Sequence, residues 1–298
     1  MKMHVDEVDT EIGLVRCLLR AQFPQWAGLP LVEVPSTGTD NALYRLGEEL
    51  QVRLPRIHWA VHQVETERVW LPRIAPRLPL QIPEQVAVGQ PGEGYPYPWG
   101  IYRWLGGENA TLEDLPDPCG AARDLANFIL ALQGIETDEC RPAEKHNQRG
   151  LPLIRRDEQM RAAIAEMDGL VDTGLVTAAW VAALEAPDWE GPPRWIHGDL
   201  LPGNLLFQDG RLRAVIDFSG LAVGDPACDL MSAWALFDGR SREVFRHVVG
   251  VDEATWARGR GHALSQAVIF IPYYLQTNPL GVRNAWRALR AVLGEFEQ

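Results

Sequence analysis

The pattern of apolar and polar positions predicts a small sheet, preceded by a helix, in the first hundred residues. Apolar side chains at helical spacing run from Asp6 to Gln22, with Asp6 as a candidate N-cap. Short apolar runs bounded by turn residues follow, and each is typical of a β-strand. The proline-rich run at 72–98 excludes a long helix there. The predicted elements are a helix at 6–22, strands at 29–34, 42–46 and 50–54, a helix at 57–71, and strands at 82–88 and 99–105.

Helical spacing dominates the second half of the chain, after Gly106 and Gly107 interrupt the strand pattern and indicate a hinge. The polar segment 134–153 is predicted to be a surface loop, the alternative being an excursion at the mouth of a substrate site. Pro272 must end or kink the helix that contains it. The predicted helices are 121–132, 157–167, 173–184, 230–237, 242–249, 254–274 and 282–296.

One predicted hairpin lies between these helices and brings polar side chains together. Apolar runs at 205–207 and 212–216 flank an Asp-Gly turn, which is a strong hairpin signal. Asn204 enters the first strand and Asp217 leaves the second. Because a hairpin brings these two ends together, an amide oxygen and a carboxylate converge on one point. Mg²⁺ prefers such oxygen ligands and takes only one or two protein carboxylates, so Asn204 and Asp217 are candidate ligands of Mg²⁺.

Composition narrows the possible classes of protein. The chain has 298 residues, of which 46% are hydrophobic and 23% charged, as is ordinary for a globular protein. No apolar run is long enough for a membrane span, and the acidic start does not resemble a secretory signal, so a cytoplasmic protein is expected. The net charge of −12 disfavours nucleic acid or an anionic membrane as a partner and favours a cationic one.

The four cysteines indicate neither a metal site nor a redox motif. Cys17, Cys119, Cys140 and Cys228 are far apart and show no metal-ligand or C-x-x-C spacing. We expect them to be reduced and mostly buried.

The stretch 195–229 carries the candidate chemistry. Asp199 lies five positions before Asn204, on the loop that leads into the hairpin, where it can face a substrate hydroxyl beside the metal. The spacing Asp-x-x-x-x-Asn, with a second Asp after the hairpin, matches the catalytic loop and metal-binding Asp of kinases. His197-Gly198-Asp199 and Ile216-Asp217-Phe218-Ser219 differ from the protein-kinase sequences and closely resemble the aminoglycoside phosphotransferase family, as do Gly224-Asp225-Pro226 and Asp229-Leu230.

This resemblance implies an α+β, two-lobed, protein-kinase-like fold. Residues 1–105 would form a small nucleotide-binding lobe with an antiparallel sheet and helices, and 106–298 a larger, mainly helical catalytic and substrate-binding lobe. The nucleotide would contact a loop at 36–39, a basic residue on the third strand with its acidic partner, and the backbone of the last strand. The residues implied are Ser36, Thr37, Gly38, Thr39, Arg53, Glu67, Arg103 and Leu105.

Several of these positions depart from the kinase pattern. The loop has a single glycine, Gly38, which is poorer than G-x-G-x-x-G. Arg53 occupies the place where kinases carry a lysine, but it keeps a full charge and a bidentate fork for phosphate. Glu65 competes with Glu67 as its ion-pair partner.

By the resemblance, the expected activity is transfer of the γ-phosphate of a Mg²⁺-bound nucleotide, ATP or GTP, to a hydroxyl of a small molecule. Asp199 would orient the hydroxyl and accept its proton. The acceptor would be an aminoglycoside-type or other antibiotic, and the net charge favours a cationic one. His197 and Asp225 are interpreted as structural, Asp225 by bracing the catalytic loop or by capping the helix at Pro226.

Alternatives remain open at this stage. They are a kinase of another small metabolite or a macrolide, and a non-catalytic nucleotide-binding pseudokinase. Protein kinase activity lacks support because the eight positions from Asp217 to Asp225 leave almost no room for an activation loop. The sequence does not indicate an oligomeric state.

Overall fold

The computed structural model describes residues 6–34, 40–109, 115–137 and 148–297. The chain divides into two compact units. The first comprises the residues up to 76 together with 81–106, and the second comprises 77–80 and 107–298. An antiparallel sheet dominates the first unit and helices dominate the second, as the sequence predicts.

The helices and strands of the described residues are numbered in chain order. The helices are α1 (Ile12–Gln22), α2 (Val61–Ile74), α3 (Pro118–Gln133), α4 (Asp157–Glu166), α5 (Thr173–Leu184), α6 (Ser232–Ala235), α7 (Gly239–Val249), α8 (Glu253–Tyr274) and α9 (Pro279–Phe296). The strands are β1 (Leu31–Glu33), β2 (Asn41–Leu46), β3 (Leu50–Pro55), β4 (Gln85–Gly89), β5 (Trp99–Arg103), β6 (Glu108–Asn109), β7 (Arg194–Ile196), β8 (Leu205–Gln208), β9 (Arg211–Val215) and β10 (Ala222–Gly224).

The sheet of the first unit has the order β1-β2-β3-β5-β4, and every neighbouring pair is antiparallel. Side chains alternate between the two faces of β3. Val52 and Leu54 therefore join the apolar core, in which Leu18 of α1 is also buried. Arg53, between them, projects to the opposite face.

The start of α1 differs from the prediction. The helix begins at Ile12 rather than at Asp6, and Glu11 provides no side-chain cap. Before it, the N–H of Val8 donates to the carbonyl of Arg56 at 2.8 Å, and the Tyr44 hydroxyl donates to the Thr10 carbonyl. Bonds to the sheet thus replace the helical bonds that periodicity alone predicts.

Two helices contain a proline close to their C-terminal end. Helix α2 includes Pro72 and ends at Ile74, and α8 includes Pro272 and ends at Tyr274. Both prolines lie in the last turn of their helix. Each proline removes one N–H bond, to the carbonyl four residues before it, and its helix ends two residues later.

The second unit packs its helices around α8, which contacts α4, α5 and α9. It also contains two small sheets, β7–β10 and β6–β8–β9. Trp180, Trp234 and Trp256 are buried, and the indoles of Trp234 and Trp256 donate to the carboxylate of Glu295. These tryptophans are core residues.

Cysteine burial differs from the expectation. Cys228 is buried, Cys119 is half-buried and Cys17 is exposed, so "mostly buried" is wrong for the described cysteines. Cys140 lies outside the described residues. None of the described helices has the length and apolarity needed to cross a membrane.

Candidate active site

The predicted hairpin is present as β8 and β9. Asp209 and Gly210 at its turn have φ of 50° and 76°, the left-handed pair that two-residue hairpin loops favour. Asn204 precedes β8, and Asp217 lies two residues after β9. The Ile216 N–H donates to the Asn204 carbonyl at 2.9 Å, which brings the two ends together.

Asp199 is held by the side chain of Asn204. The Asn204 Nδ2 donates to the Asp199 carbonyl at 2.8 Å and to its carboxylate Oδ2 at 3.0 Å. Since the amide nitrogen is used in this way, the Asn204 Oδ1 is the atom left to act as a ligand or acceptor. One carboxylate oxygen of Asp199, Oδ1, does not contact Asn204.

Arg149 contacts that second oxygen. Its Nη2 lies 2.9 Å from the Asp199 Oδ1, and the two side chains are 18% and 17% exposed. This ion pair covers the Asp199 Oδ1, which is otherwise buried. Burial opposes the charged form of Arg149, but the charge of Asp199, together with that of Asp217 and the contact with the Asp199 carboxylate, outweighs it and raises the pKa of this guanidinium.

No pattern in the sequence points to Arg149 as a site residue. It belongs to the segment 134–153, for which a surface loop was the favoured prediction, so that prediction is wrong at this residue. A hydrogen bond holds the next residue, Gly150, whose carbonyl accepts the N–H of Asp225 at 2.8 Å. The close approach leaves no room for a side chain at Gly224, whose Cβ would lie 2.3 Å from the Gly150 oxygen.

His197 has a structural position. Its Nδ1 accepts the N–H of Asp199 at 3.2 Å, and its Nε2 then donates to the Ile216 carbonyl at 3.0 Å. The ring is fully buried, packs against Phe218, and burial lowers its pKa. A neutral imidazole with both nitrogens bonded to backbone cannot serve as a general base for a substrate.

Asp229 braces the catalytic loop. Its carboxylate accepts the N–H groups of His197 and Gly198, both at 2.8 Å, and burial raises its pKa to about 7. Gly198 is required here, since its φ is +80° and a Cβ would lie 2.7 Å from the Gly220 carbonyl oxygen. The sequence predicts a bracing residue in this region, but its candidate is Asp225, whereas the residue that makes these bonds is Asp229.

Asp225 caps a helical turn, which is the second of the two roles that the sequence suggests for it. Its carboxylate caps the 3₁₀ turn Pro226–Met231 by accepting the Ala227 N–H at 2.9 Å. It also forms a buried ion pair with Arg258, at 2.7 Å to the Nε. Its bonds therefore hold a helical turn to α8.

Asn109 is a further residue that sequence reasoning missed. Its Nδ2 donates to the carbonyls of Gly203 and Leu205, at 2.8 and 3.0 Å, on either side of Asn204. The strand that carries it, β6, pairs with β8. No strand was predicted after the two glycines at 106 and 107, because two residues are too few to give a periodic signal.

The oxygen donors at the hairpin fit a magnesium ion whose remaining ligands are water and phosphate oxygens. Asp217 has φ of 62°, a left-handed conformation that Asp tolerates better than most residues, and its carboxylate accepts the Ser219 N–H at 3.3 Å. Asn204 offers an amide oxygen beside it. The described residues contain no group of three His, Cys, Asp or Glu that could hold a metal alone. One carboxylate plus one amide suits Mg²⁺ completed by water and phosphate oxygens.

In the first unit, Arg53 and Glu67 form a buried ion pair. The guanidinium also donates to the Tyr102 hydroxyl at 2.9 Å and lies over that ring at 4.3 Å from its centroid. Gly100, opposite Arg53 across the β3–β5 pair, makes room for this ring, since a Cβ there would lie 2.3 Å from it. Gln63 donates to Glu67 at 3.1 Å, so the pair is held on several sides.

The other predicted nucleotide contacts remain predictions. Ser36, Thr37, Gly38 and Thr39 lie outside the described residues. Arg103 ends β5; its N–H donates to the Glu84 carbonyl at 2.9 Å, and its exposed side chain lies near Glu49. Leu105 follows, half-buried.

Comparison with known proteins identifies the family. The chain belongs to the phosphotransferase enzyme family APH, whose model matches residues 32–262. The resemblance seen in the sequence is therefore confirmed. An uncharacterised Bacillus subtilis (strain 168) protein, YcbJ, is 26% identical over 236 residues, which cover 71% of each chain.

Solved structures confirm the kinase-like, two-lobed α+β fold. The GDP and kanamycin complex of APH(2")-IIia has a TM-score of 0.75 at 19% identity, covering 94% of this chain and 98% of that one. The macrolide 2'-phosphotransferase MphH from Brachybacterium faecium has a TM-score of 0.60 at 24% identity, covering 93% and 97%. At these identities the likeness establishes the fold alone.

Proposed function

We propose that this protein is an O-phosphotransferase that moves the γ-phosphoryl group of a Mg²⁺-bound nucleotide to a hydroxyl group of a small molecule. The observation that supports this most is the convergence of Asp199, Asn204 and Asp217 on one loop and hairpin. Membership of the phosphotransferase family is independent support. A protein without catalytic activity would not need these three side chains to lie close together.

Asp199 is the proposed catalytic residue. Its carboxylate orients the acceptor hydroxyl and takes its proton. Because phosphoryl-transfer transition states are loose, with little bond formation to the attacking oxygen, position matters more than basicity. Asn204 fixes the Oδ2 of this carboxylate, so the Oδ1 is the atom that faces the hydroxyl.

Asn204 and Asp217 are the proposed ligands of Mg²⁺, each with one oxygen. The chemistry that Mg²⁺ supplies when bound is neutralisation of the charge on the phosphate oxygens. Glu67 would hold the Arg53 guanidinium in place to contact the nucleotide phosphates, and the loop Ser36–Thr39 would cover them. The backbone at Arg103 and Leu105 would contact the base, within a nucleotide-binding region of 1–105 and a catalytic region of 106–298.

The nucleotide is ATP or GTP. Structures of similar proteins contain GDP, ADP and ATP, so both donors belong in the assay. Base recognition through backbone atoms leaves no side-chain difference by which to choose.

The acceptor is proposed to be an antibiotic or a similarly sized hydroxyl compound. Similar structures contain kanamycin, gentamicin and streptomycin, and another similar protein is a macrolide phosphotransferase. A macrolide would need an aromatic and aliphatic wall; of the tryptophans that the sequence offers for it, Trp180, Trp234 and Trp256 are buried in the core and Trp189 is half-buried. The carboxylates that it offers for a polycation are all exposed, namely Asp168, Asp172, Asp188 and Glu190.

The test is transfer of the γ-phosphate from Mg-ATP and Mg-GTP to a panel of aminoglycosides, macrolides, sugars, sugar acids and amino alcohols. With an acceptor in hand, we expect Asp199→Asn to lower kcat by roughly 10²- to 10⁴-fold, because the proton acceptor is lost. Nucleotide affinity should change little.

Asp209→Asn is the matched control. It removes one carboxylate from the exposed turn of the same hairpin, where Asn is favoured, so activity should be unchanged. Near-full activity of Asp199→Asn would contradict the assignment. Nucleotide binding without turnover of any acceptor, in the wild type, would favour the pseudokinase alternative.

A further inference from the structure

A second set of polar side chains is buried in the catalytic unit, and the proposed mechanism does not use it. Arg156 ends the 3₁₀ turn Leu153–Arg156 and is only 5% exposed. Its Nε and Nη1 have no hydrogen-bond partner among the described residues. Burial and the charge of Arg149 lower its pKa to about 10, so it stays charged at neutral pH. Leaving two nitrogens of a buried guanidinium without a partner is unfavourable, so a folded protein rarely keeps such a group without a function for it.

His262 adds to this set from α8. Its ring is fully buried, and neither nitrogen has a partner among the described residues. Burial, then the charges of Arg156 and Arg258, lower its pKa to about 3, so the imidazole is neutral and offers one donor and one acceptor. Arg258 differs, because Asp225 and the Pro187 carbonyl satisfy its guanidinium.

Arg149 connects this set to the catalytic carboxylate. The charge of Asp199 favours the charged form of Arg149 and of Arg156, and the charge of Arg149 lowers the pKa of Arg156, so both guanidinium groups lie within electrostatic range of this carboxylate. Arg149 also covers the Oδ1 of Asp199, the oxygen proposed to receive the acceptor hydroxyl. An acceptor can therefore reach this oxygen only if the guanidinium shifts.

The charge of the acceptor decides how difficult that shift is. An acidic group next to the reactive hydroxyl offers the guanidinium a new ion pair in exchange for the one with Asp199, and the free donors of Arg156 can bind the same group. A neutral acceptor breaks the ion pair without replacing it. An ammonium group would also face two like charges in a region of low dielectric.

We propose that Arg149 and Arg156 form an anion subsite beside Asp199, which binds a carboxylate or phosphate group of the acceptor close to its reactive hydroxyl. This inference rests on the proposed function and defines its acceptor class. It departs from the cationic acceptor that the net charge of −12 suggests, because two buried arginines near the reacting group outweigh a diffuse surface charge that salt screens.

The first experiment measures binding of three small probes by titration calorimetry, with Mg-ADP saturating so that the nucleotide site is filled. The probes are 3-phosphoglycerate, glycerol and 2-amino-1,3-propanediol, which present a hydroxyl beside acidic, neutral and cationic groups. We expect only 3-phosphoglycerate to bind measurably, and Arg149→Met and Arg156→Met each to weaken its binding at least tenfold.

Arg155→Met is the matched control. Arg155 is the exposed arginine next to Arg156 in the same turn, so the variant makes the same change in net charge. Its affinity for 3-phosphoglycerate should equal that of the wild type. Tighter binding of the amino alcohol than of the acid, no binding of the acid to folded wild type, or equal affinity in Arg156→Met would each overturn the proposal.

A second measurement separates a ligand-binding role of Arg156 from a structural one. If the charge of Arg156 serves to bind a ligand, Arg156→Met replaces a buried charged group, two of whose nitrogens have no partner among the described residues, with an unbranched apolar side chain. The Tm measured without ligand should then rise. A lower Tm together with unchanged anion affinity would show that Arg156 is structural. Wild type that binds the acid but shows no phosphoryl transfer to any acceptor would contradict the proposed function and leave the anion subsite standing.

Discussion

Asp229 is a buried titratable residue that bonds to the backbone of the candidate catalytic loop. It holds the N–H groups of His197 and Gly198, and burial raises its pKa from the usual 3.8 to about 7. In the unfolded chain the carboxyl ionises near its usual pKa, while the folded protein keeps the proton until pH 7. Between these values the folded state binds more protons, so the free energy of unfolding falls as pH rises from about 4 to about 7.

Asp229→Asn should remove this contribution. We expect the free energy of unfolding of the wild type to decrease relative to the variant between pH 5 and pH 7, by about 2 to 3 kcal/mol, since one pKa unit corresponds to about 1.4 kcal/mol. Well above the folded pKa of about 7, the difference should be constant. Urea unfolding at pH 5, 6, 7 and 8 measures it, with Asp209→Asn as the exposed control. Parallel curves for wild type and Asp229→Asn across this range would show that the carboxyl titrates elsewhere.

At the scale of single residues, the sequence predicts the site residues whose separation is fixed by a local element. It does not predict those that tertiary packing brings in from distant segments. Asp199, Asn204 and Asp217 were found because a loop and a hairpin set their separation. Asp229 bonds to backbone 31 and 32 residues away, and Arg149 reaches Asp199 from a segment without periodicity. Such contacts depend on packing, and no local pattern predicts them.

Strand β6 shows how a very short element shapes the site. From it, Asn109 bonds to two carbonyls that flank Asn204. Asn109→Ala would leave both carbonyls without this donor and allow the turn before β8 to move. We expect kcat to fall about tenfold, because catalytic geometry depends strongly on position, and stability to fall by about 1 kcal/mol per lost hydrogen bond.

Glu108→Ala tests whether this effect belongs to the side-chain bonds of Asn109. Glu108 is the exposed neighbour on the same two-residue strand, so its loss leaves the bonds to the turn intact. Steady-state kinetics should show a loss of kcat in Asn109→Ala only, with little change in the KM for nucleotide. Equal kcat values for both variants would show that β6 pairing alone fixes the turn.

Elements with strong local signals were predicted closely. Helix α5 spans 173–184 as predicted, and β8 and β9 extend the predicted hairpin by a residue on either side of its Asp-Gly turn. The start of α1 was wrong because bonds from residues 8 and 10 to the sheet override helical periodicity. Local pattern therefore determines an element's existence, and tertiary bonds determine where it begins.

For the whole molecule, the fold is shared with proteins that are only 19% and 24% identical to it, so it reveals little about the acceptor. Net charge favours a cationic acceptor, whereas the proposed anion subsite at Arg149 and Arg156 would favour an acidic one. Net charge is a sum over the whole chain, whereas a substrate contacts only a few side chains. This is why acceptor class could not be predicted from the sequence.

The second unit has its own apolar core, and we expect it to fold without the first. Its buried side chains include Phe128, Trp180, Trp234 and Phe245 on four different helices, enough for an independent core in a fragment of residues 107–298. The fragment lacks 77–80, which are grouped with this unit but include no buried residue. Thermal unfolding followed by circular dichroism should show one cooperative transition, and near-ultraviolet signals should report packed tryptophans. Trp180→Ala in the same fragment should lower Tm sharply, because truncating a buried tryptophan removes roughly 3–5 kcal/mol. A broad transition that Trp180→Ala does not shift would show that this core depends on the first unit.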